Sequence, residues 1–214
     1  DLHSFPTRRS SDLLSSDSPA DGLQIGSAVN TPETGLTAGQ RLTTGSFYGC
    51  RIGITGWHGN GIQVLGGSAT FVIAAACGNG WRGFQSGDGA TLSAKGAAAH
   101  GNGSSGFEAE AGGFLDAANS SAVGNREQGY YAIGTASISA IRAVAAGNGT
   151  SGFEAKKNGN IIADKAVAQH NAVGVSADSG IVFIGNGSTV TDNQTSDVKT
   201  AAGGKNLTDR KSVV

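Results

Sequence analysis

From Gly61 to Gly204 one pattern returns every 22 or 23 residues, and so short a repeat permits few folds. Its clearest line is Gly106-Phe107-Glu108-Ala109, which comes back as Gly129-Tyr130-Tyr131-Ala132 and as Gly152-Phe153-Glu154-Ala155. Gly61-Ile62, Gly83-Phe84, Gly174-Val175 and Asp197-Val198 occupy the same slot. A second column runs three or four residues ahead of that glycine: Asn79, Asn102, Asn125, Asn148, Asn171 and Asn193. Two columns in one register mark a chain built from copies of a unit that cannot bury its apolar face alone.

Each unit holds three short apolar segments. The first pairs Phe107 with Ala109, Tyr130 with Ala132, Phe153 with Ala155 and Val175 with Ala177. The second follows a turn of Gly, Asn and Ser, and carries Leu92 and Ala94, Leu115 and Ala117, Ile138 and Ala140, Ile161 and Ala163, then Ile181 and Phe183. The third is mostly alanine at alternate positions: Ala97 and Ala99, Ser120 and Ala122, Ala143 and Ala145, Ala166 and Ala168. All have period two and are too short for helices, so they read as strands. The Gly and Asn residues between them are expected to supply the left-handed backbone of tight corners.

With 36 glycines and much alanine, the chain lacks the large side chains of an ordinary globular core. It has to stack small ones. The expected fold class is all-β: a single-stranded parallel solenoid with three short strands per coil, each strand paired with its own copy about 4.8 Å away. Like residues then lie over like, aromatic on aromatic, alanine on alanine, and asparagine on asparagine, whose amide can donate to one neighbour and accept from the other.

The pattern GFxA…GGxIxA…AxAxxN resembles right-handed parallel β-helix proteins of the pectate-lyase-like superfamily. More narrowly it is similar to bacteriophage or prophage tail-fibre and tailspike proteins. The resemblance covers roughly Gly61 to Asn206. It implies a right-handed winding, a homotrimer, contact with cell-surface polysaccharide, and a place in a virion tail or at a cell surface. It departs from the lyases, because no aspartate cluster suited to calcium and no accompanying Arg–Lys set is found. No lyase residues carry over, and no cofactor or metal is expected.

The two ends, DLHSFPTRRSSDL over 1–13 and DRKSVV over 209–214, resemble translated sequencing adapter and are expected to carry no fold information. Residues 14–44 read as a linker or an irregular first coil, and 45–208 as the β-helix. A formal net charge of −1 without basic clusters offers nucleic acid no electrostatic footprint. No apolar run is long enough to span a membrane as a helix. Cys50 and Cys77 read as two free thiols, a disulfide being the lesser alternative, and their spacing fits no zinc site. Gly101-Asn102-Gly103-Ser104-Ser105-Gly106 fits G-x-G-x-x-G, but a strand follows it and it recurs once per coil, so it is a corner and not a dinucleotide loop.

The candidate catalytic residues are Glu108 and Glu154. They share a column, with Tyr131 between them, and point outward because Phe107 and Ala109 point inward. Two rungs separate them by roughly 9–10 Å, close to the spacing that inverting glycosidases use. The competing reading is a solvated face whose two charges ignore each other. The main expectation is therefore a structural or receptor-binding shaft of a phage or prophage tail protein. The alternatives are a polysaccharide-degrading enzyme acting along the Glu108–Glu154 face, or a bacterial surface adhesin. Phe107→Asp is expected to lower stability by several kcal/mol in chemical denaturation, since it places an unpaired carboxylate in the stack. Glu108→Gln is expected to change little.

Overall fold

The computed structural model of the protein describes residues 23–26, 48–50, 59–71, 75–201 and 203–208. The adapter-like ends, most of the 14–44 stretch and residues 51–58 of the expected β-helix lie outside the described residues. All regular structure in the described residues is strand, gathered into three parallel sheets. The first sheet stacks Leu23–Gly26, Ile62–Leu65, Phe84–Gly87, Phe107–Ala109, Tyr130–Ile133, Ser151–Lys156, Val173–Asp178 and Ser196–Thr200. The second stacks Ser68–Thr70, Thr91–Ser93, Phe114–Asp116, Ser137–Ser139, Asn160–Ala163, Ile181–Ile184 and Lys205–Thr208. The third stacks Tyr48–Cys50, Ala75–Cys77, Ala98–His100, Ser121–Val123, Val144–Ala146, Val167–Gln169 and Thr189–Thr191. From Ile62 on, successive strands in the chain go to successive sheets in turn; the fold is a single-stranded right-handed parallel β-helix.

Like residues do sit over like. Phe84, Phe107, Tyr130 and Phe153 are register partners in turn, with ring centroids 4.9, 5.0 and 4.9 Å apart and planes within 14° of parallel. Opposite them lie the buried third-sheet alanines Ala76, Ala99, Ala122, Ala145 and Ala168, and the second sheet adds Leu92, Leu115, Ile138 and Ile161. A narrow interior with bulky rings on one wall needs a thin wall facing it. The one tyrosine in the aromatic stack proves the point. Its hydroxyl lies 2.9 Å from Ser120 Oγ and donates to the Val144 carbonyl at 3.3 Å, and Ser120 stands where the neighbouring coils have Ala97, Ala143 and Ala166. Full burial raises the Tyr130 phenol far above its ordinary value.

The asparagine column carries the corner between the third and first sheets. Each amide nitrogen donates to the Oδ1 of the next asparagine, from Asn79 through Asn193, at 2.7 to 3.1 Å. From Asn102 on, the second hydrogen goes to an alanine carbonyl one coil back, as from Asn125 to Ala99 at 3.2 Å. The same Oδ1 also accepts the preceding asparagine's backbone N–H, at 3.1 Å from Asn102 to Asn125. At the end of the column Asn193 donates to Asp197 Oδ1 at 2.8 Å.

Three expectations need correction. The expected left-handed corners hold for glycine, and for Asn119 and Asn158, but not for the column asparagines: there that conformation falls on Gly78, Gly101, Gly124, Gly147 and His170, each immediately before the asparagine. At the other corners Ala111, Thr135, Arg142 and Lys165 also take positive φ, held there by the coils above and below rather than by local preference. Ile181 and Phe183 do not point inward. Register pairs Ile161 with Val182 and Ala163 with Ile184, so Val182 and Ile184 are buried and Ile181 and Phe183 are exposed. The turn before Ile181 is one residue shorter than the turn before Asn160, and a one-residue slip exchanges the two faces. Finally, Cys77 is not a free thiol but disulfide-bonded. The chain's other cysteine, Cys50, is its register partner in the neighbouring strand. Stacked strands hold Cα atoms about 4.8 Å apart, within the range that a disulfide bridges.

Asn125→Ala should cost about 3 kcal/mol or more in urea denaturation, because it leaves two buried donors of Asn102, the backbone N–H and the side-chain amide, without their acceptor. Asn193→Ala, at the half-buried end of the column, should cost distinctly less. Equal losses would mean that the amides do not act as a ladder.

Candidate functional site

The alternation that sends Phe107 and Ala109 into the stack sends Glu108 to the opposite face of the first sheet. Register there aligns Gln63, Gln85, Glu108, Tyr131, Glu154 and Ser176 in one column. Glu108 and Glu154 thus lie two rungs apart, on the order of 10 Å, with Tyr131 between them. The expectation of a solvated face is corrected. Glu108 is 2% exposed and Glu154 6% exposed, although both face away from the hydrophobic core.

Neighbouring polar side chains cover them. Arg82 Nε approaches Glu108 Oε2 to 2.6 Å, and its Nη2 lies 3.6 Å from Glu110 Oε2. Arg82 in turn lies over the Trp81 ring, its Cζ 4.0 Å from the ring centroid. Gln128 Nε2 donates to Glu154 Oε2 at 2.6 Å, and Lys156 Nζ stands 2.9 Å from Glu154 Oε1. Ser105 donates to the Gln128 side-chain oxygen at 3.1 Å, which orients that amide toward Glu154. At the other end, Asn60 and Gln63 both donate to Gln85 Oε1, at 2.9 and 2.6 Å, while Gln85 donates to Glu110.

The two carboxylates therefore differ in environment. Burial raises the Glu108 carboxyl above its ordinary value of 4.5, and Glu110 adds to this, while Arg82 and Ser105 oppose it. Glu154 faces an ammonium and an amide donor. The Tyr131 phenol is pushed up to about 12, first by burial and then by the negative charges of Glu154, Glu108 and Glu127 around it. Two carboxyls of unlike environment on either side of a half-buried ring make a possible acid–base pair. Among the described residues no group of three or more His, Cys, Asp or Glu is placed to hold a metal ion.

Arg82, Gln85, Glu110, Gln128 and Lys156 are site residues that sequence reasoning passed over. For Arg82 and Gln128 a signal was present. Arg82, Ser105, Gln128 and Ser151 form a second outward column two residues ahead of the aromatic slot, and large polar side chains recur there.

No protein-family model matches the chain, and no curated protein is significantly similar to it. Among solved structures it is similar to the A-module of the mannuronan C-5 epimerase AlgE6 from Azotobacter vinelandii, with a TM-score of 0.59 and 17% identity. The match covers 90% of this chain and 62% of that one, so the chain spans under two thirds of the module's length. The likeness shows the fold, a right-handed parallel β-helix.

Because the Glu108 carboxyl is raised in the folded state, its protonation stabilises that state. The contribution is complete below about 4.5 and is lost as pH rises through the folded value. Glu108→Gln removes it. The stability of the wild type relative to Glu108→Gln should therefore fall as pH rises from about 4.5 and then level off, in urea denaturation across pH. A difference that grew with pH would mean that the Arg82 ion pair outweighs burial. In either case the substitution is not silent at every pH, as a solvated face would have made it.

Proposed function

We propose that the outer face of the first sheet binds a polysaccharide and cleaves it, with Glu108 as general acid and Glu154 as general base. One observation carries this reading: two carboxyls two rungs apart, of which burial keeps one protonated to higher pH while Lys156 and Gln128 hold the other as an acceptor. In the reaction Glu108 gives its proton to the glycosidic oxygen as the bond to the anomeric carbon breaks. Glu154 takes a proton from the water that attacks that carbon from the other side. The separation suits a water between base and sugar, which is the inverting geometry. Arg82 holds Glu108 by Oε2, so the proton has to be given from Oε1. A fold shared with a module named as a mannuronan epimerase supports a polysaccharide as the substrate class.

A second reading keeps the glycan contact without the chemistry: a trimeric shaft of a phage or prophage tail protein. It is favoured by the second sheet, where Ile162, Phe183 and Leu207 are register partners, all exposed, with exposed Ile181 beside them. Three copies packed on that ladder would cover it.

Reducing-end release from bacterial surface polysaccharides separates the two. The wild type should release sugar ends, and Glu108→Gln and Glu154→Gln should each slow release by about a hundredfold or more. Unchanged rates in both variants would remove these residues from the chemistry. Glycan retention without any cleavage by the wild type would favour the shaft.

A further inference from the structure

We infer that the glycan taken by this face is uncharged, built of neutral or N-acetylated sugars rather than uronates. The inference rests on the reading of the face as a polysaccharide site, and it narrows the substrate class.

The charges decide it. Four carboxyls line the central coils, Glu108, Glu110, Glu127 and Glu154, and Glu127 accepts from Ser104 at 2.8 Å on the flanking corner. Two cations flank the Glu108–Glu154 stretch, and both are committed; a third, Lys199, lies in the same outward column beyond Ser176, two rungs from Glu154. Arg82 is paired with Glu108 and Glu110, and Lys156 with Glu154. Arg126 and Lys157 sit at the corners on either side, and even with them that stretch carries no net positive charge. Recognition of a polyuronate needs arginines or lysines with donors to spare, in a field that attracts anions. Here each uronate carboxylate would have to draw Arg82 or Lys156 away from a glutamate. That would leave the glutamate buried without its counter-ion, beside a second negative charge.

Sugar hydroxyls meet none of these obstacles. As donors they suit the Glu110 carboxylate, whose side chain is 34% exposed, and as acceptors they suit the half-buried amide of Gln63. The half-buried ring of Tyr131 lies in the same column as Glu108 and Glu154, and Trp81, 38% exposed, stands beside Arg82. Aromatic rings with a polar rim of amides accommodate the apolar faces of pyranoses together with their hydroxyls.

The test is retention of the full chain on a printed array carrying neutral, N-acetylated and uronate oligosaccharides, read at about 0.05 and 0.5 M salt. Neutral or N-acetylated glycans should be retained at least about tenfold more strongly than uronates, with little change between the two salt levels. Glu110→Lys, at a partly exposed position, should raise uronate retention in low salt, and the gain should disappear at the higher salt level. Preferential binding of uronates by the wild type, weakening as salt rises, would overturn the inference while leaving the polysaccharide reading intact. Retention of no glycan of any class would overturn both.

Discussion

The asparagine column fixes the register on which everything else depends. A side-chain amide has two hydrogens to donate and one oxygen able to accept twice, and here every one of these is used in each central coil. Aspartate would lack the donors and repel its neighbours, and glutamine would reach too far. The glycine three or four residues later is the complement. A Cβ on Gly129 would lie 2.7 Å from the Gly152 carbonyl oxygen and 2.9 Å from Asn148 Nδ2, so the amide and a side chain cannot both occupy that corner. Only in the last coil does Asp197 take the glycine's place, and its carboxylate ends the column.

Once register is fixed, the rest follows from distance. Rungs about 4.8 Å apart bring aromatic rings to stacking separation and outward side chains to hydrogen-bonding separation. The same spacing therefore builds a dry ladder on the inside and a polar network on the outside. The Cys50–Cys77 register shows that the stack already includes strands ahead of the clear repeats, as does the pairing of Leu23–Gly26 with Ile62–Leu65.

Much of the fold was legible because the repeat wrote it several times. Phe107, Tyr130 and Phe153 announced one column and Asn102, Asn125 and Asn148 another, and agreement between independent columns left little freedom. Legibility failed where the repeat changes length, at the turn before Ile181, where one missing residue reversed the faces of the strand. It failed for the disulfide because Cys50 precedes the recognisable coils. The Glu108–Glu154 column was legible as a direction but not as an environment. Alternation shows which way a side chain points. It does not show that Arg82, Gln128 and Lys156, from the coils before, between and within, converge to bury it. That burial turns two surface charges into a candidate site.

The central claim is the stacking register itself, and paired cysteines on the outer face of the third sheet test it most directly. Val123 and Ala146 are register partners one rung apart, whereas Val123 and Gln169 are two rungs apart. Mild oxidation of the Val123→Cys/Ala146→Cys double variant should give a new intramolecular disulfide, identified by peptide mass mapping, with the native cross-link at Cys77 retained. Val123→Cys/Gln169→Cys should stay reduced under the same conditions. Cross-linking in the second variant and not the first would contradict the winding described here.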